Sequence, residues 1–385
     1  MVLRENDTIA TMHDILYGKS DGFQPEDKYA PVIPQEAESN VFSYFQNNAS
    51  KSLPLLRIAI GCSSAGNFFV TEIAKMLANE LRGMGMQPML FDEFSVHGAV
   101  DHNLVFVLAP HEFFTLGGET AWQVLSECKN LVFINTEQAE TQRFAIAKNF
   151  LSTSNIIFDI NFGTAAALRA AGYRSYFLPL GYSRPFEQAH SGQVLDRYGP
   201  LACLPESVLQ SAPQSYSARP IDVLFVGTLS PKRNHFFAQH AAFFSNLETF
   251  FYFPEDNSFF YSQDSSAIDF SRFAGLVRRS KILLNVHKDE APYLEWQRVV
   301  SLGIMQRTLV VSEQCEFGAV IAPNVHYIDA PIDALPGICE YYVKHADLAE
   351  KFSAFAYDDL RVQCPLDRVL HSMLVELNEL NIVSA

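Results

Sequence analysis

The stretch KILLNVHKDEAPYLEWQRVVSLGIMQRTLVVSE, residues 281–313, decides the fold. An apolar strand ends at Val286, a polar loop follows, and a short helix is predicted to begin with Glu295 and Arg298. A second apolar strand follows at 308–312. A strand, a helix and a second strand of this kind form a parallel unit that is covered on both faces. A charged pair at the strand-end edge of such a sheet is well placed to hold a polar ligand.

The same alternation of strands and helices extends in both directions from this stretch. Continuous apolar runs between turn residues predict strands, and apolar residues at helical spacing predict helices. The predicted strands are 55–61, 86–93, 103–110, 130–136, 155–160, 221–227, 248–254, 281–286, 308–312 and 325–329. The predicted helices include 68–81, 121–128, 138–152, 164–172, 235–247, 270–279 and 366–380. This order predicts an α/β chain with two Rossmann-like, doubly wound domains that face each other across a cleft.

Changes in polar composition and in hydrophobic periodicity divide the chain into five segments. Residues 1–52 are polar and are interpreted as an N-terminal arm or cap, and residues 53–183 as the first Rossmann-like domain. The periodicity fades in an interdomain region at 184–219. A second Rossmann-like domain is predicted at 220–364. A terminal helix is predicted within 365–385, and whether it packs back on the N-terminal domain is left open.

Composition excludes two classes of protein. The chain has 385 residues, 48% hydrophobic and 18% charged, which is typical of packed cores and not of disorder. Its net charge of −15 argues against a general nucleic-acid binder, because such proteins are usually basic. The six cysteines form no CxxC pair, which indicates scattered thiols in a reducing cytoplasm.

Two further kinds of motif do not occur in the sequence. No run of about 18 apolar residues exists, and the first residues lack the apolar core of a signal peptide, so we expect a cytoplasmic protein without a membrane span. Neither Asp-x-Asp nor His-Glu-x-x-His occurs, so we expect no essential metal.

A small-residue loop, GTLSPKRN (Gly227–Asn234), follows the first predicted strand of the second domain. Backbone N–H groups and a helix N-terminus at such a place can face an anion, and Lys232 and Arg233 add positive charge. An arginine binds a phosphate through two hydrogen bonds, and a lysine acts as a point charge. The alternative is a solvated turn with two surface cations.

Glu295 and Arg298 are three residues apart, so they share one face of the predicted helix. A carboxylate at that place can accept hydrogen bonds from both hydroxyl groups of a ribose. The alternative is an ordinary salt bridge within the helix.

Two of these segments, VLFVGTLSPKRN (223–234) and LEWQRVVSLGIMQRTLVVSE (294–313), resemble the donor half of the GT-B glycosyltransferases. The likeness is to the retaining group with a Glu-x7-Glu signature, which includes glycogen-synthase-like and family-4-like enzymes. It covers roughly residues 220–315 well, and the first domain only in pattern. The resemblance implies that Glu295 binds the donor ribose and that Lys232 or Arg233 holds the diphosphate. The remaining residues assigned to donor binding are Gly227, Thr228, Asn285, Glu290 and Arg298.

Two histidines are the candidate catalytic groups. The first Glu of the signature would stand eight residues before Glu295, where this chain has His287. Asp289 or Glu290 could substitute for that carboxylate if the loop is shifted. His111 follows a predicted strand and resembles a histidine that contacts the transferred sugar in related enzymes, and His97 competes for that role.

The resemblance implies an enzyme that moves a sugar from a UDP- or GDP-sugar to a glycan, lipid or protein acceptor. It further implies that the anomeric configuration is retained and that no cofactor is needed. Two alternatives stay open, namely a sugar-nucleotide 2-epimerase of the same fold and a catalytically degenerate sugar-nucleotide-binding protein. The sequence does not predict the donor sugar, the acceptor or the oligomeric state.

Overall fold

A computed structural model of the chain describes residues 51–139, 141–190, 195–197, 199–209, 215–254, 268–316 and 318–383. The predicted arm at 1–52 lies almost wholly outside these residues. The described chain forms two separate parallel sheets, one of six strands and one of five, with helices between the strands. The predicted α/β class with two Rossmann-like domains is therefore confirmed.

The first sheet has the strand order β2-β1-β3-β4-β5-β6. Strands β1, β3, β4 and β5 are buried along their whole length, as is typical of a parallel sheet covered on both faces. The elements are β1 (Ile58–Gly61), α1 (Phe68–Gly83), β2 (Met89–Phe91), β3 (Leu104–Leu108), α2 (Pro110–Leu125), β4 (Leu131–Asn135), α3 (Gln142–Leu151), β5 (Ile157–Asp159), α4 (Phe162–Ala170) and β6 (Ser175–Phe177).

The second sheet has the strand order β11-β10-β9-β7-β8, and two short helices, α5 (Arg184–His190) and α6 (Glu206–Leu209), precede it. Its elements are β7 (Ile221–Val226), α7 (Pro231–Phe244), β8 (Thr249–Tyr252), α8 (Phe270–Arg278), β9 (Ser280–Asn285), a π-helix (Gln297–Gly303), β10 (Leu309–Glu313), β11 (Ile328–Ala330), α9 (Leu335–Lys344), α10 (Ala346–Gln363) and α11 (Leu366–Glu379). The sequence analysis did not identify α9 and α10 individually.

Each sheet changes its winding direction once, between β1 and β3 in the first and between β7 and β9 in the second. The connections on the two sides of such a point leave in opposite directions, which opens a crevice outside the carboxyl ends of the strands. The loops after β1 and β3, and those after β7 and β9, are therefore the places where each domain can bind a ligand.

The chain returns to the first domain at its C-terminal end. The Tyr182 N–H donates to the Cys364 carbonyl at 2.8 Å, and the Leu366 N–H donates to the Tyr182 carbonyl at 2.8 Å. A Cβ at position 181 would lie 1.9 Å from the Cys364 carbonyl oxygen, so this close crossing requires Gly181. Helix α11 then packs against α1 of the first domain.

Two of the predicted helix starts that were wrong concern site residues. Helix α2 begins at Pro110, directly after β3, and not at 121, because Ala109 adopts a left-handed conformation (φ 45°) that turns the chain sharply. Helix α7 begins at Pro231 and not at 235, with the Ser230 side chain capping it. Proline favours the first helical position because it has no N–H to leave unpaired. Lys232 and Arg233 therefore lie in a first helical turn.

The helices of the described segments were also compared with the length and hydropathy that a bilayer crossing requires. None of them meets that requirement.

Candidate functional site

A cavity of about 1010 Å³ lies between the carboxyl-end edges of the two sheets. Its size falls in the range of small-molecule sites. The first domain lines it with Asn67, Phe68, Phe69, Val70, Glu112, Thr136, Glu137, Gln138, Thr141 and Arg143. The second domain lines it with residues that include Gly227, Thr228, Arg233, Lys288, Asp289, Glu290, Tyr293, Glu295, Gln297 and Arg298.

Arg233 is held in the second-domain wall by the backbone. Its Nε donates to the Val286 carbonyl at 2.9 Å, and its Nη1 donates to the Thr228 carbonyl at 2.9 Å. Its side chain is 4% exposed, and its Nη2 lies 3.7 Å from Glu295 Oε1. The two carbonyl bonds fix the guanidinium, so it faces the cavity in one orientation.

Arg298 approaches the same carboxylate from the π-helix. Its Nε donates to Glu295 Oε2 at 2.9 Å, and its Nη1 donates to the Val226 carbonyl at 2.8 Å. A Cβ at position 227 would lie 3.2 Å from Arg233 Nη1 and 3.3 Å from Arg298 Nη2. Gly227 therefore leaves the room in which the two guanidinium groups meet.

Glu295 carries a negative charge between these cations. Burial would raise the pKa of its carboxyl, but Arg298, His287 and Arg233 outweigh burial and hold that pKa well below its usual range. Its Oε1 is buried and has no hydrogen-bond donor among the residues that the structure describes. A charged carboxylate with a free acceptor position in a cavity wall is suited to accept hydroxyl hydrogen bonds from a ligand.

His287 does not reach the cavity. Its side chain is 1% exposed, its Nε2 lies 3.0 Å from the Gln314 carbonyl, and its Nδ1 lies 3.8 Å from Glu295 Oε1. The prediction of a catalytic His287 in contact with the sugar is therefore not supported, because the ring lies behind Glu295. Both ring nitrogens face oxygen acceptors, which favours the doubly protonated imidazolium.

The charge on His287 should make stability depend on pH. Burial lowers the pKa of His287, but its contacts with Cys315 and Glu295 raise that pKa to about 10. The folded-state pKa lies above the unfolded value of about 6.5, so the stabilisation is complete below pH 6.5 and is lost as the pH rises towards 10. We expect the wild type to lose at least about 1.4 kcal/mol more than His287→Gln between pH 6.5 and 9.5, which corresponds to one pKa unit. Urea unfolding across this range measures the difference, and parallel curves would show that His287 is neutral.

Two other predicted donor-site residues, Lys232 and Asn285, do not line the cavity. Lys232 does not line the cavity, and its Nζ lies 2.6 Å from Glu313 Oε1 and 3.1 Å from Glu290 Oε2. It also donates to the Asp289 carbonyl at 3.0 Å, so it anchors the loop after β9. Asn285 is fully buried and donates to Ser312 Oγ at 3.0 Å, which places it beneath the wall.

The first-domain wall centres on Glu112 and Glu137, and His111 lies between them. His111 Nε2 is 3.3 Å from Glu137 Oε1 and 4.0 Å from Glu112 Oε1. His111 is 5% exposed and lies behind the two carboxylates, where it contacts Glu137, and it is not itself part of the cavity lining. His97 is exposed in a turn away from the cavity and does not compete for this place.

The two carboxyl groups have opposite pKa shifts. Burial raises the pKa of Glu112, and this effect exceeds that of the Asn67 N–H and of the neighbouring cations. Burial would also raise the pKa of Glu137, but His111, Arg143 and Thr141 outweigh it and lower that pKa. Glu112 is therefore more readily protonated than an ordinary glutamate, and Glu137 less readily.

Glu112 and Phe68 were not predicted as site residues, although His111 was named and a helix was predicted to begin at Phe68. Glu112 directly follows His111, but Pro110 was interpreted as the end of a strand, so Glu112 was not placed at the edge of the sheet. The signal for Phe68 is its position after Asn67, which caps α1 by accepting from the Phe69 N–H at 3.0 Å. Within the described ranges, no group of three or more His, Cys, Asp or Glu side chains is arranged to hold a metal ion.

The structure is similar to a number of solved structures, which include the following two. One is Anabaena Alr3699/HepE in complex with UDP and glucose, with a TM-score of 0.54 and 10% identity over 84% of this chain and 99% of that one. The other is an alpha-glucosyltransferase (AGT) in complex with UDP, with a TM-score of 0.53 and 9% identity over 86% of this chain and 100% of that one. No protein-family model matches the chain, and no curated protein sequence matches it. The expected GT-B architecture of two facing Rossmann-like domains is confirmed.

Proposed function

We propose that this protein is a glycosyltransferase that moves a sugar from a nucleoside diphosphate sugar to an acceptor bound in the interdomain cavity. One observation carries the proposal. The second-domain wall holds a charged carboxylate, Glu295, beside two fixed guanidinium groups and a helix N-terminus, and all of them lie at the switch point of a parallel sheet. This set of groups matches a ribose followed by a diphosphate.

The donor is proposed to lie across the switch point between β7 and β9. The ribose hydroxyls donate to Glu295, and the diphosphate lies against Arg233, Gly227 and the first turn of α7. We propose UDP as the nucleotide, because both similar structures were solved with it. The buried faces of Arg233 and Arg298 pack on Phe225, at 5.3 Å and 5.2 Å from the ring centroid, which keeps both cations in place before the ligand arrives.

The proposed catalysis depends on stabilising the negative charge that develops on the departing diphosphate. The bond between the anomeric carbon and the diphosphate oxygen breaks and leaves negative charge on the diphosphate, while the acceptor hydroxyl oxygen bonds to that carbon and its proton passes to the departing diphosphate. Arg233, whose guanidinium is already held in place by the Val286 and Thr228 carbonyls, stabilises that charge from the first turn of α7. The proposal includes no resident metal. It also includes retention of the anomeric configuration, which the resemblance to the Glu-x7-Glu group implies and which NMR of the product tests.

A panel of UDP- and GDP-sugars tests the function. We expect slow release of UDP from one UDP-sugar in the absence of acceptor, and UDP binding that is detectable by calorimetry. An epimer of the donor sugar among the products would favour a 2-epimerase. UDP binding with no turnover on any donor and acceptor would favour a degenerate binding protein. If no nucleotide binds, the proposed site is wrong.

Two neighbouring cations should differ in their effect on donor binding. We expect Arg233→Met to raise the Kd for UDP at least about tenfold, since a hydrogen bond to a charged group is worth about 1.5–3 kcal/mol. Lys232→Met should raise it less, because Lys232 meets Glu313 and Glu290 outside the cavity. Calorimetry on both variants measures the difference. A larger effect for Lys232→Met would mean that this lysine exchanges its carboxylate partners for the diphosphate.

A further inference from the structure

The wall opposite the proposed donor site has the chemistry of a ligand-binding surface. Phe68, Glu112, Glu137 and Gln138 line it, and they come from α1, α2 and the loop after β4. The proposed donor does not need any of these residues. Their role is therefore separate from that of Glu295 and Arg233.

One polar atom of this wall, Gln138 Oε1, is buried without a hydrogen-bond partner among the described residues. His111, which is 5% exposed, lies behind the wall with its Nε2 3.3 Å from Glu137 Oε1. A buried polar atom without a partner costs about 1–3 kcal/mol, so a ligand or water that supplies one is favoured. Gln138 Oε1 therefore indicates a ligand that brings a hydrogen-bond donor to this wall.

Glu112 has one oxygen committed and one available. Its Oε2 accepts from the Asn67 N–H at 2.8 Å, which fixes the orientation of the carboxyl. Its Oε1 has no donor closer than His111 Nε2, at 4.0 Å, among the side chains described. Glu137, in contrast, meets His111 with one oxygen and the Thr141 hydroxyl, at 3.1 Å, with the other. Glu112 is therefore the carboxylate that can bind a new partner.

Phe68 adds a flat apolar surface beside these polar groups. Its ring lies 4.2 Å from that of Phe69, and Phe69 in turn meets Phe270 of the second domain edge-on at 6.0 Å. Phe68 thus packs against Phe69 and still lines the cavity. A sugar ring matches this wall, because it has an apolar C–H face and hydroxyls that both donate and accept hydrogen bonds.

We propose that the acceptor is a saccharide, with one ring face packed on Phe68 and a hydroxyl group donating to Glu112 Oε1. This inference rests on the proposed function, since it assigns the acceptor of that reaction. The Gln138 side chain binds a second hydroxyl, and His111 is a positioning residue that holds Glu137 beside Glu112. Burial in the cavity wall raises the pKa of Glu112, as is expected for a desolvated carboxyl group.

The test uses the full chain saturated with UDP and a mixture of methyl α- and β-glycosides of common hexoses. Saturation-transfer NMR should show transfer to at least one glycoside, and Phe68→Leu and Glu112→Gln should each reduce it at least about fivefold. Glu127→Gln is the matched control, because it removes one carboxylate from an exposed site of the same domain outside the cavity. Calorimetry should give the same Kd for UDP in the wild type and in all three variants.

The remaining outcomes separate the two proposals. If UDP binds but no glycoside receives saturation, or if the signal does not depend on Phe68 and Glu112, the saccharide subsite is wrong and the proposed function stands. If serine-containing peptides or a lipid phosphate in the same assay give a signal that depends on Glu112, the acceptor class is wrong. If UDP does not bind, both proposals fail.

Discussion

The wild type should bind UDP about 10- to 100-fold more tightly than 2′,3′-dideoxy-UDP, and Glu295→Gln should reduce that ratio to about threefold or less. The reason is that Glu295 is charged and has an oxygen without a donor, whereas the neutral amide of glutamine is a weaker acceptor. Calorimetry with the two ligands and the two proteins completes a cycle of four binding free energies.

The ratio of the two affinities, for UDP and for 2′,3′-dideoxy-UDP, reports on the ribose contact more directly than the affinity for UDP alone. Removing the negative charge of Glu295 leaves Arg298 and Arg233 less neutralised, which by itself would strengthen the binding of a diphosphate. Both ligands carry the same diphosphate, so this effect cancels in the ratio. Glu340→Gln, at a surface ion pair with Lys344, is the control and should leave both affinities unchanged. An unchanged affinity ratio in Glu295→Gln would mean that the ribose does not bind at Glu295.

Arg298→Met should destabilise the second domain by about 2–3 kcal/mol, because it leaves a carboxylate in a largely desolvated place without its nearest cation. Arg298 is 8% exposed, and the substitution removes its bonds to Glu295 and to the Val226 carbonyl. Chemical unfolding at pH 7 measures the loss. The chain has two tryptophans, so in a Trp122→Phe background the fluorescence of the buried Trp296 reports on the second domain.

A double variant separates the charge effect from lost packing. In Arg298→Met with Glu295→Gln the uncompensated carboxylate is gone, so we expect the double variant to be more stable than Arg298→Met alone. The pKa of Glu295 is depressed, so its pairing stabilises the fold above the unfolded value of about 4.3 and is lost as the pH falls through the folded pKa. If the stability losses of Arg298→Met and Glu295→Gln add up in the double variant, Arg298 and Glu295 are not energetically coupled.

The strands of both sheets were predictable because each is a continuous apolar run between turn residues. The alternation of these runs with helices also predicts the parallel sheets and hence the switch points, since the connections must cross from one strand end to the next strand start. Glu295 could be assigned to the edge of the second sheet because it follows β9 after a short loop.

The partners of Glu295 were not predictable, because they depend on which strands lie side by side. Arg233 reaches it from α7 only because β7 is paired with β9. The burial of His287 likewise depends on the course of β10, whose end places the Gln314 carbonyl against the ring. Residue type and spacing identify a charged group, but packing decides whether it faces the cavity or another side chain.

Glu112, on the first-domain wall, was missed for a local reason. The sequence VLAPHEF continues the apolar run of β3, and the left-handed turn at Ala109 that starts α2 has no glycine to indicate it. Glu112 therefore seemed to lie in a loop of unknown direction. A proline can end a strand or begin a helix, and here it begins a helix.

The most direct test of the account is a crystal structure of the protein with UDP. We predict the ribose hydroxyls within hydrogen-bond distance of Glu295 and the diphosphate against Gly227 and Arg233, with the first-domain wall of Phe68 and Glu112 left open for the acceptor. UDP bound with its ribose on the first-domain wall, or outside the interdomain cavity, would contradict the account.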